Sequence, residues 1–155
     1  MTFLKNNALR GFECITLYQN SGIELPSRKT KTSAGYDFQA AETIEIQPGE
    51  IRLVPTGIKA FMQDDEVLKL YARSSLAISK QLILANGVGV IDQDYYNNET
   101  NEGHILLPLY NASKHSVIVQ KGERVAQGIF EKYLASEIES RPQATRKGGF
   151  GSTGK

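Results

Sequence analysis

The sequence predicts an all-β fold, either a sandwich or a jelly-roll-like β-barrel, with one short helix. Two observations carry this prediction: short strand-like segments follow one another along most of the chain, and turn-forming residues separate them. The 155 residues fit one domain with a sizeable core. We expect that domain over residues 1–140, followed by a flexible glycine-rich C-terminal segment over residues 141–155.

Five segments have the residue pattern of β-strands. Apolar and polar residues alternate with a period of two in TIEIQ (43–47) and VLKLY (67–71). HILLPLY (104–110), SVIVQ (116–120) and RVAQGIF (124–130) are richer in apolar residues, so we expect strands buried on both faces. Turns are predicted at four glycine-containing sites between such segments: Pro48-Gly49, Pro55-Thr56-Gly57, Asn86-Gly87 and Lys121-Gly122.

One segment, SSLAISK (74–80), favours a helix, and we expect Ser74 or Ser75 to cap its start. From about residue 135 the apolar pattern fades, and the chain closes on RKGGFGSTGK (146–155). Glycine loses much backbone entropy on ordering, so this tail is either a disordered end or a segment that orders over a bound molecule.

The composition excludes several classes of function. Eighteen Lys and Arg against 17 Asp and Glu give a net charge of +1, so direct binding to nucleic acid is not expected. The basic stretch SRKTK (27–31) is interpreted as a solvated loop, with an anion site as the alternative. Two histidines and one cysteine offer no convincing zinc set, so no metal held by protein ligands is expected.

The lone Cys14 excludes an intrachain disulfide and lies in a strand-like run, so we expect a buried structural thiol in a reducing compartment. The N-terminal residues lack the apolar core of a signal peptide, and no run approaches the ~20 apolar residues of a membrane span. We therefore expect a cytoplasmic protein that does not bind membranes.

Two stretches combine residues that can bind an anion or activate a water molecule. In YARSSLA (71–77), Arg73 with Ser74 and Ser75 at a helix start offers a guanidinium and two hydroxyls to an oxyanion; the alternative is an ordinary capped helix. In NGVGVIDQDYY (86–96), Asp92 follows a buried strand and can act as a general base for water. Tyr95 supplies a ring for a sugar or a base, whereas the plain interpretation is a hairpin end.

Two further stretches carry polar groups among apolar residues. Asp37 lies in TSAGYDFQA (32–40), where small residues and Gly35 suggest a tight turn with a carboxylate. Arg124 and Gln127 lie inside the predicted strand GERVAQGIF (122–130), and buried polar groups need partners.

In chain order, five stretches resemble the five motifs of the trimeric dUTPase family: AGYDFQA (34–40), ARSSLA (72–77), NGVGVIDQDY (86–95), GERVAQGIF (122–130) and RKGGFGSTG (146–154). The resemblance implies a jelly-roll fold and a homotrimer whose active sites are each assembled from several subunits. It also implies hydrolysis of dUTP to dUMP and pyrophosphate with Mg²⁺ carried on the phosphates. That reaction keeps uracil out of DNA and supplies dUMP for thymidylate synthesis.

Matched to those motifs, Asp92 is the carboxylate that activates the attacking water, and Tyr95 is the ring under the deoxyribose, where a 2′-hydroxyl would clash. Asn86 and the pair Val90-Ile91 fall where the family reads uracil. The phosphate-binding loop is matched by Arg73, Ser74 and Ser75.

The remaining matches concern the phosphates and the tail. Gln127 and Asp37 fall near the phosphates and the water, and Arg124 is interpreted as structural. Phe150 matches the ring that stacks on uracil, while Gly151, Ser152 and Thr153 match residues that reach the phosphates. Arg146 stands one residue closer to Phe150 than in many members, so either Arg146 or Lys147 is expected at a phosphate.

The stretch YNNETNEG (96–103) is a longer polar insertion than the family pattern, which makes it a candidate contact for a protein partner. Two alternatives to dUTP hydrolysis stay open. One is a dCTP deaminase, which shares the fold, although GVGVIDQD matches the dUTPase form of this motif. The other is a trimeric binding protein that uses this fold to hold a protein partner.

Overall fold

The computed structural model describes residues 7–139 and 146–149. Within these ranges the chain forms eleven β-strands, one α-helix and two 3-10 helices. The strands are β1 (Gly11–Cys14), β2 (Tyr36–Gln39), β3 (Ile44–Ile46), β4 (Ile51–Pro55), β5 (Ile58–Phe61), β6 (Glu66–Ala72), β7 (Leu82–Leu84), β8 (Val88–Ile91), β9 (Leu106–Asn111), β10 (Val117–Val119) and β11 (Arg124–Lys132). The helix α1 spans Ser74–Lys80, and the 3-10 helices span Thr16–Tyr18 and Gln93–Tyr95.

The strands pair in antiparallel fashion in four sheets. The largest has the order β2-β11-β6-β8, and the next has the order β4-β9-β7. Two-stranded sheets β1-β5 and β10-β3 complete the described fold. The prediction of an all-β, jelly-roll-like fold with one short helix is confirmed.

The core lies between these sheets and is filled by alternate residues of their strands. Leu68 and Leu70 of β6 are at most 2% exposed, and so are Leu107 and Leu109 of β9. Residues two apart on a strand share a face, which is why this spacing fills one core. The expectation that residues 104–110 are buried on both faces is wrong for the single chain, because β9 alternates buried and half-buried positions.

The predicted helix boundaries are confirmed, and all four predicted turn glycines adopt positive φ: Gly49, Gly57, Gly87 and Gly122. The prediction that a serine caps α1 is wrong. Arg73 occupies the N-cap with extended backbone (φ −75°, ψ 141°), which continues β6 by one residue and moves both serines into the first helical turn.

Cys14 is half-buried rather than fully buried, and this burial raises the pKa of its thiol. No helix in the described ranges is both long and apolar enough to cross a membrane. The boundary at residue 140 between a β domain and a C-terminal lid stays a prediction, because residues 140–145 and 150–155 lie outside the described part of the chain.

Candidate active site

The Asn86-Gly87 turn joins two strands that belong to different sheets. β7 pairs with β9, whereas β8 pairs with β6 at the edge of the four-stranded sheet. Gly87 has φ +74°, a conformation that side chains other than glycine rarely adopt. The two strands that flank this turn are therefore not hydrogen-bonded to each other, and a pocket opens between them.

Pro108 in the middle of β9 accounts for the end of the β7–β9 ladder. The Ala85 N–H donates to the Pro108 carbonyl at 2.8 Å, and proline has no N–H with which to return a bond. Regular pairing stops at Leu84 opposite Leu109, and the chain leaves this sheet for the next one. The sequence shows Pro108 inside a strand-like run, but it does not show that this proline helps to open a pocket.

Six residues singled out from the sequence line this pocket together: Asn86, Val90, Ile91, Asp92, Tyr95 and Arg146. Sequence reasoning missed its apolar walls, which include Leu84, Leu106 and Pro108. We call this set the Asp92 pocket. An apolar cleft with a few convergent polar groups is the usual form of a site for a flat organic ligand.

Asp92 follows β8, and its side chain is 50% exposed, so the carboxylate is within reach of water. Arg146 of the tail makes a short contact with Asp92, and its Nε donates to Asp94 Oδ1 at 2.7 Å. The tail thus approaches the pocket rim through a guanidinium paired with two carboxylates. Whether Arg146 or Lys147 contacts a phosphate stays a prediction.

Tyr95 is 7% exposed, and burial raises the pKa of its phenol. Its hydroxyl donates to the His104 carbonyl at 2.6 Å and accepts from Asn101 Nδ2 at 2.9 Å. Gly149 lies over the ring so closely that a Cβ there would stand 2.9 Å from Tyr95 Cε2. The tail therefore reaches both the carboxylate rim and the ring.

A second group of site residues is assembled by the pairing of β2, β11 and β6. Gln127 lies directly opposite Asp37 in the β2–β11 ladder, and Arg73 follows the last residue of β6. The Asp37 carboxylate stands between two guanidiniums, 3.6 Å from Arg73 Nε and 3.4 Å from Arg124 Nη1. The partner that Arg124 needs is thus Asp37.

Arg73 lines two neighbouring surface depressions. One also contains Ser75, Lys80 and Arg124, and the other contains Ser74, Asp37 and Gln127. We call the two together the Arg73 surface. Guanidinium, ammonium and hydroxyl groups are the donors that bind phosphate oxygens. A Cβ at Gly35 would stand 2.7 Å from Gln127 Oε1, so a glycine there leaves room for this amide.

Among the described residues, the Asp92 pocket and the Arg73 surface share no lining residue. The site residues predicted from the sequence thus fall into two separate groups in one chain. The predicted tail contacts Phe150, Gly151, Ser152 and Thr153 lie outside the described residues. In residues 7–139 and 146–149, no three His, Cys, Asp or Glu side chains are grouped so that they could hold a metal ion.

Comparison with known proteins gives a consistent result. The dUTPase family model matches residues 21–154. The deoxyuridine 5′-triphosphate nucleotidohydrolase of Lactococcus lactis is 53% identical over 147 residues, covering 94% of this chain and 98% of the relative. The dUTPase structure from Streptococcus mutans is 51% identical with a TM-score of 0.79, covering 82% of this chain and 98% of that one.

A more distant structure, the dUTPase from phage phi11 of S. aureus, is 18% identical with a TM-score of 0.72 over 88% of this chain and 98% of that one. At this identity the likeness concerns the fold alone. The family model and the two bacterial relatives go further, since each covers more than four fifths of the sequence and both relatives are more than 50% identical. The chain therefore belongs to the dUTPase family.

Proposed function

We propose that this chain hydrolyses dUTP to dUMP and pyrophosphate, with Asp92 as the base for the attacking water and with active sites shared between the subunits of a homotrimer. The observation that carries the proposal is the Asp92 pocket, in which a water-accessible carboxylate, a buried tyrosine ring and an open hairpin meet under the tail. Family membership supplies the reaction, and the pocket supplies residues with the right chemistry for it.

The two groups of residues divide the substrate between them. In the Asp92 pocket, the β8 edge and Asn86 take the uracil and Tyr95 takes the deoxyribose, while Asp92 accepts a proton from the water. The Arg73 surface takes the phosphates through Arg73, Ser74, Ser75 and Gln127. Hydrolysis to dUMP and pyrophosphate breaks the bond between the α- and β-phosphates, and such transfers depend on positioning and on neutralising charge.

An exposed apolar face supports assembly into a trimer. Ile51 of β4 and Ile83 of β7 both lie directly opposite Tyr110 of β9, so the three share the outward face of the sheet β4-β9-β7. Ile51 is 56% exposed and Ile83 is 48% exposed in the single chain. A contiguous apolar face of this kind is typical of a protein–protein interface. In such a trimer, the Arg73 surface of one subunit lies beside the Asp92 pocket of its neighbour, so that the two groups of residues form one site.

Mg²⁺ fits this arrangement as an ion carried by the substrate. The Arg73 surface is rich in donors to phosphate oxygens, whereas Asp92 is exposed and able to accept from water bound to an ion. When bound through phosphates and water, Mg²⁺ neutralises charge on the phosphate chain and orients it. The protein's own part is to hold base, sugar and phosphates in place. We propose that it does so in the cytoplasm, since the single cysteine suits a reducing compartment.

The test is pyrophosphate release in the presence of Mg²⁺ from dUTP, dTTP, dCTP and UTP in parallel, with light scattering to count the chains in the particle. Release from dUTP alone, by a particle of three chains, is the expected result. Release of ammonia from dCTP would favour the deaminase. Silence on all four nucleotides from a folded full-length protein would overturn the proposal in favour of a binding protein, for which loop 96–103 stays a predicted contact.

A further inference from the structure

Loop 96–103 is held in one shape by its own side chains. Asn98 is 7% exposed, and its Nδ2 donates to the Tyr95 carbonyl at 2.8 Å. Its Oδ1 accepts from the backbone N–H groups of Thr100 at 3.0 Å and Asn101 at 3.1 Å. One buried amide therefore ties the start of the loop to its middle, as asparagine does in turns.

The loop is also fastened to the body of the protein. Lys59 of β5 is 9% exposed, and its Nζ donates to Asn97 Oδ1 at 2.7 Å and to Glu102 Oε1 at 3.0 Å. Glu102 accepts a further bond from the Thr16 N–H at 3.0 Å. A nearly buried ammonium must keep its partners, so both ends of the loop are anchored to the sheet β1-β5.

This anchored loop places Asn101 against the hydroxyl of Tyr95. Asn101 Nδ2 donates to Tyr95 Oη at 2.9 Å, while Asn101 Oδ1 accepts from the Gly103 N–H at 3.1 Å and from Asn98 Nδ2 at 2.8 Å. These two acceptor contacts fix which way the amide points. The Tyr95 hydroxyl, which also donates to the His104 carbonyl, thus has both of its hydrogen-bonding roles filled by the loop and its end.

We propose, on the basis of the proposed function, that Asn101 is a positioning residue for Tyr95 and that loop 96–103 contributes to the selection of dUTP over UTP. The sugar is selected by contact with the Tyr95 ring, and a ring free to tilt leaves room for a 2′-hydroxyl. Asn101 restrains the ring at its hydroxyl end, while Gly149 lies close against the ring. Discrimination that depends on steric fit is lost when the group supplying the fit can move.

The test is a double-mutant cycle on the ratio of kcat/KM for dUTP to kcat/KM for UTP. Asn101→Ser keeps an acceptor for the Gly103 N–H, as serine does in turns, but its side chain is too short to reach the Tyr95 hydroxyl. We expect the ratio to fall about three- to tenfold, the worth of one hydrogen bond. In a Tyr95→Phe background, which lacks the hydroxyl, the same change should leave the ratio unaltered.

Glu99→Gln, an exposed change in the same loop, is the matched control and should leave the ratio as in the wild type. Asn101→Ala serves if the serine variant does not fold. An unchanged ratio in a folded Asn101 variant, or an equal fall in the Tyr95→Phe background, would overturn the positioning role while leaving dUTP hydrolysis standing. A wild type that is silent on dUTP would instead overturn the proposed function, and this role with it.

Discussion

The Asp92 pocket and the Arg73 surface differ in how tightly their polar residues are buried and hydrogen-bonded. Around the pocket, Tyr95, Asn98 and His104 are 7%, 7% and 9% exposed, and the Tyr95 hydroxyl makes hydrogen bonds of 2.6 and 2.9 Å. On the Arg73 surface, the Arg73 and Arg124 side chains are 25% and 38% exposed, and their contacts with Asp37 measure 3.6 and 3.4 Å.

This difference fits the proposed roles, in which the Asp92 pocket recognises base and sugar and the Arg73 surface binds the phosphates. Recognition of base and sugar needs a rigid surface, because selectivity depends on excluding a hydroxyl or a methyl group. Phosphate binding needs charge and directed donors, which half-exposed arginines can supply once the rest of the site closes around them. On the proposed function, we expect the Asp92 pocket, the nucleoside half of the site, to form within one chain, and the Arg73 surface, the phosphate half, to act together with a neighbouring subunit.

The largest expected effect comes from removing the proposed general base, Asp92. Asp92→Asn should lower kcat for dUTP roughly 10²- to 10⁴-fold, because an amide cannot accept the proton of the water. Nucleotide binding and the number of chains in the particle should stay as in the wild type, measured by calorimetry and light scattering. Asp64→Asn, an exposed change in the turn between β5 and β6, is the control. Near-normal turnover by Asp92→Asn would remove it from the role of base.

The next effect breaks the phosphate half. Arg73→Ala should lower kcat/KM for dUTP about 10- to 100-fold, the worth of hydrogen bonds from a charged group, and should leave the dUTP to UTP ratio unchanged. Lys114→Ala removes an exposed cation between β9 and β10 and should be silent. A fall in the ratio with Arg73→Ala would mean that the two halves are not separate.

Mixing these two impaired variants tests the same comparison further. If a site takes Asp92 from one subunit and Arg73 from another, unfolding and refolding Asp92→Asn together with Arg73→Ala produces some sites with both residues intact. Activity should then exceed that of either variant alone, measured as pyrophosphate release at equal total protein. Activity no higher than the average of the two variants would place both residues in one chain's site.

A smaller effect concerns the dependence of the free energy of unfolding on pH, through the buried His104. His104 Nε2 accepts from the Gly57 N–H at 2.9 Å, so the ring is neutral, and burial lowers the pKa of His104 below its usual 6.5. The unfolded chain takes up this proton first as pH falls below about 6.5, so the free energy of unfolding should decrease, by at most about 1.4 kcal/mol per pH unit.

Denaturant unfolding at pH values between 5 and 8 measures this loss. His104→Gln keeps an acceptor without a titrating group and should flatten the dependence between pH 5 and 6.5, whereas His115→Gln, at an exposed histidine, should not. The same slope in His104→Gln as in the wild type would assign the pH dependence to other groups.

The smallest effect concerns the docking of the tail beside the pocket. Thr100 Oγ1 donates to the Lys147 carbonyl at 2.6 Å, so Thr100→Val keeps the shape of the side chain and removes this bond. We expect KM for dUTP to rise about two- to fivefold with a smaller change in kcat, because closure of the tail becomes weaker. Thr43→Val, beside β3, is the control, because the Thr43 hydroxyl bonds to Gln120 and Lys121 and not to the tail. An equal rise in both variants would contradict a role in docking.

The sequence by itself determined the features that depend on neighbouring residues. The helix over 74–80 and the four turn glycines follow from local backbone preferences, and the five motifs in order indicated the family. The motif match assigned Asn86, Ile91, Asp92 and Tyr95 to one site, and these residues lie close together along the chain. Local preference settles such features because few alternative conformations compete with it.

The tertiary structure decided which distant residues meet. Asp37 and Arg124 are 87 positions apart and become partners only through the register of β2 and β11. The sequence of the insertion at 96–103 indicates only a polar loop, and its contacts with Lys59 and Tyr95 show that it supports a residue of the pocket. Strand pairing and burial are set by the whole chain at once, and a local pattern does not contain that information.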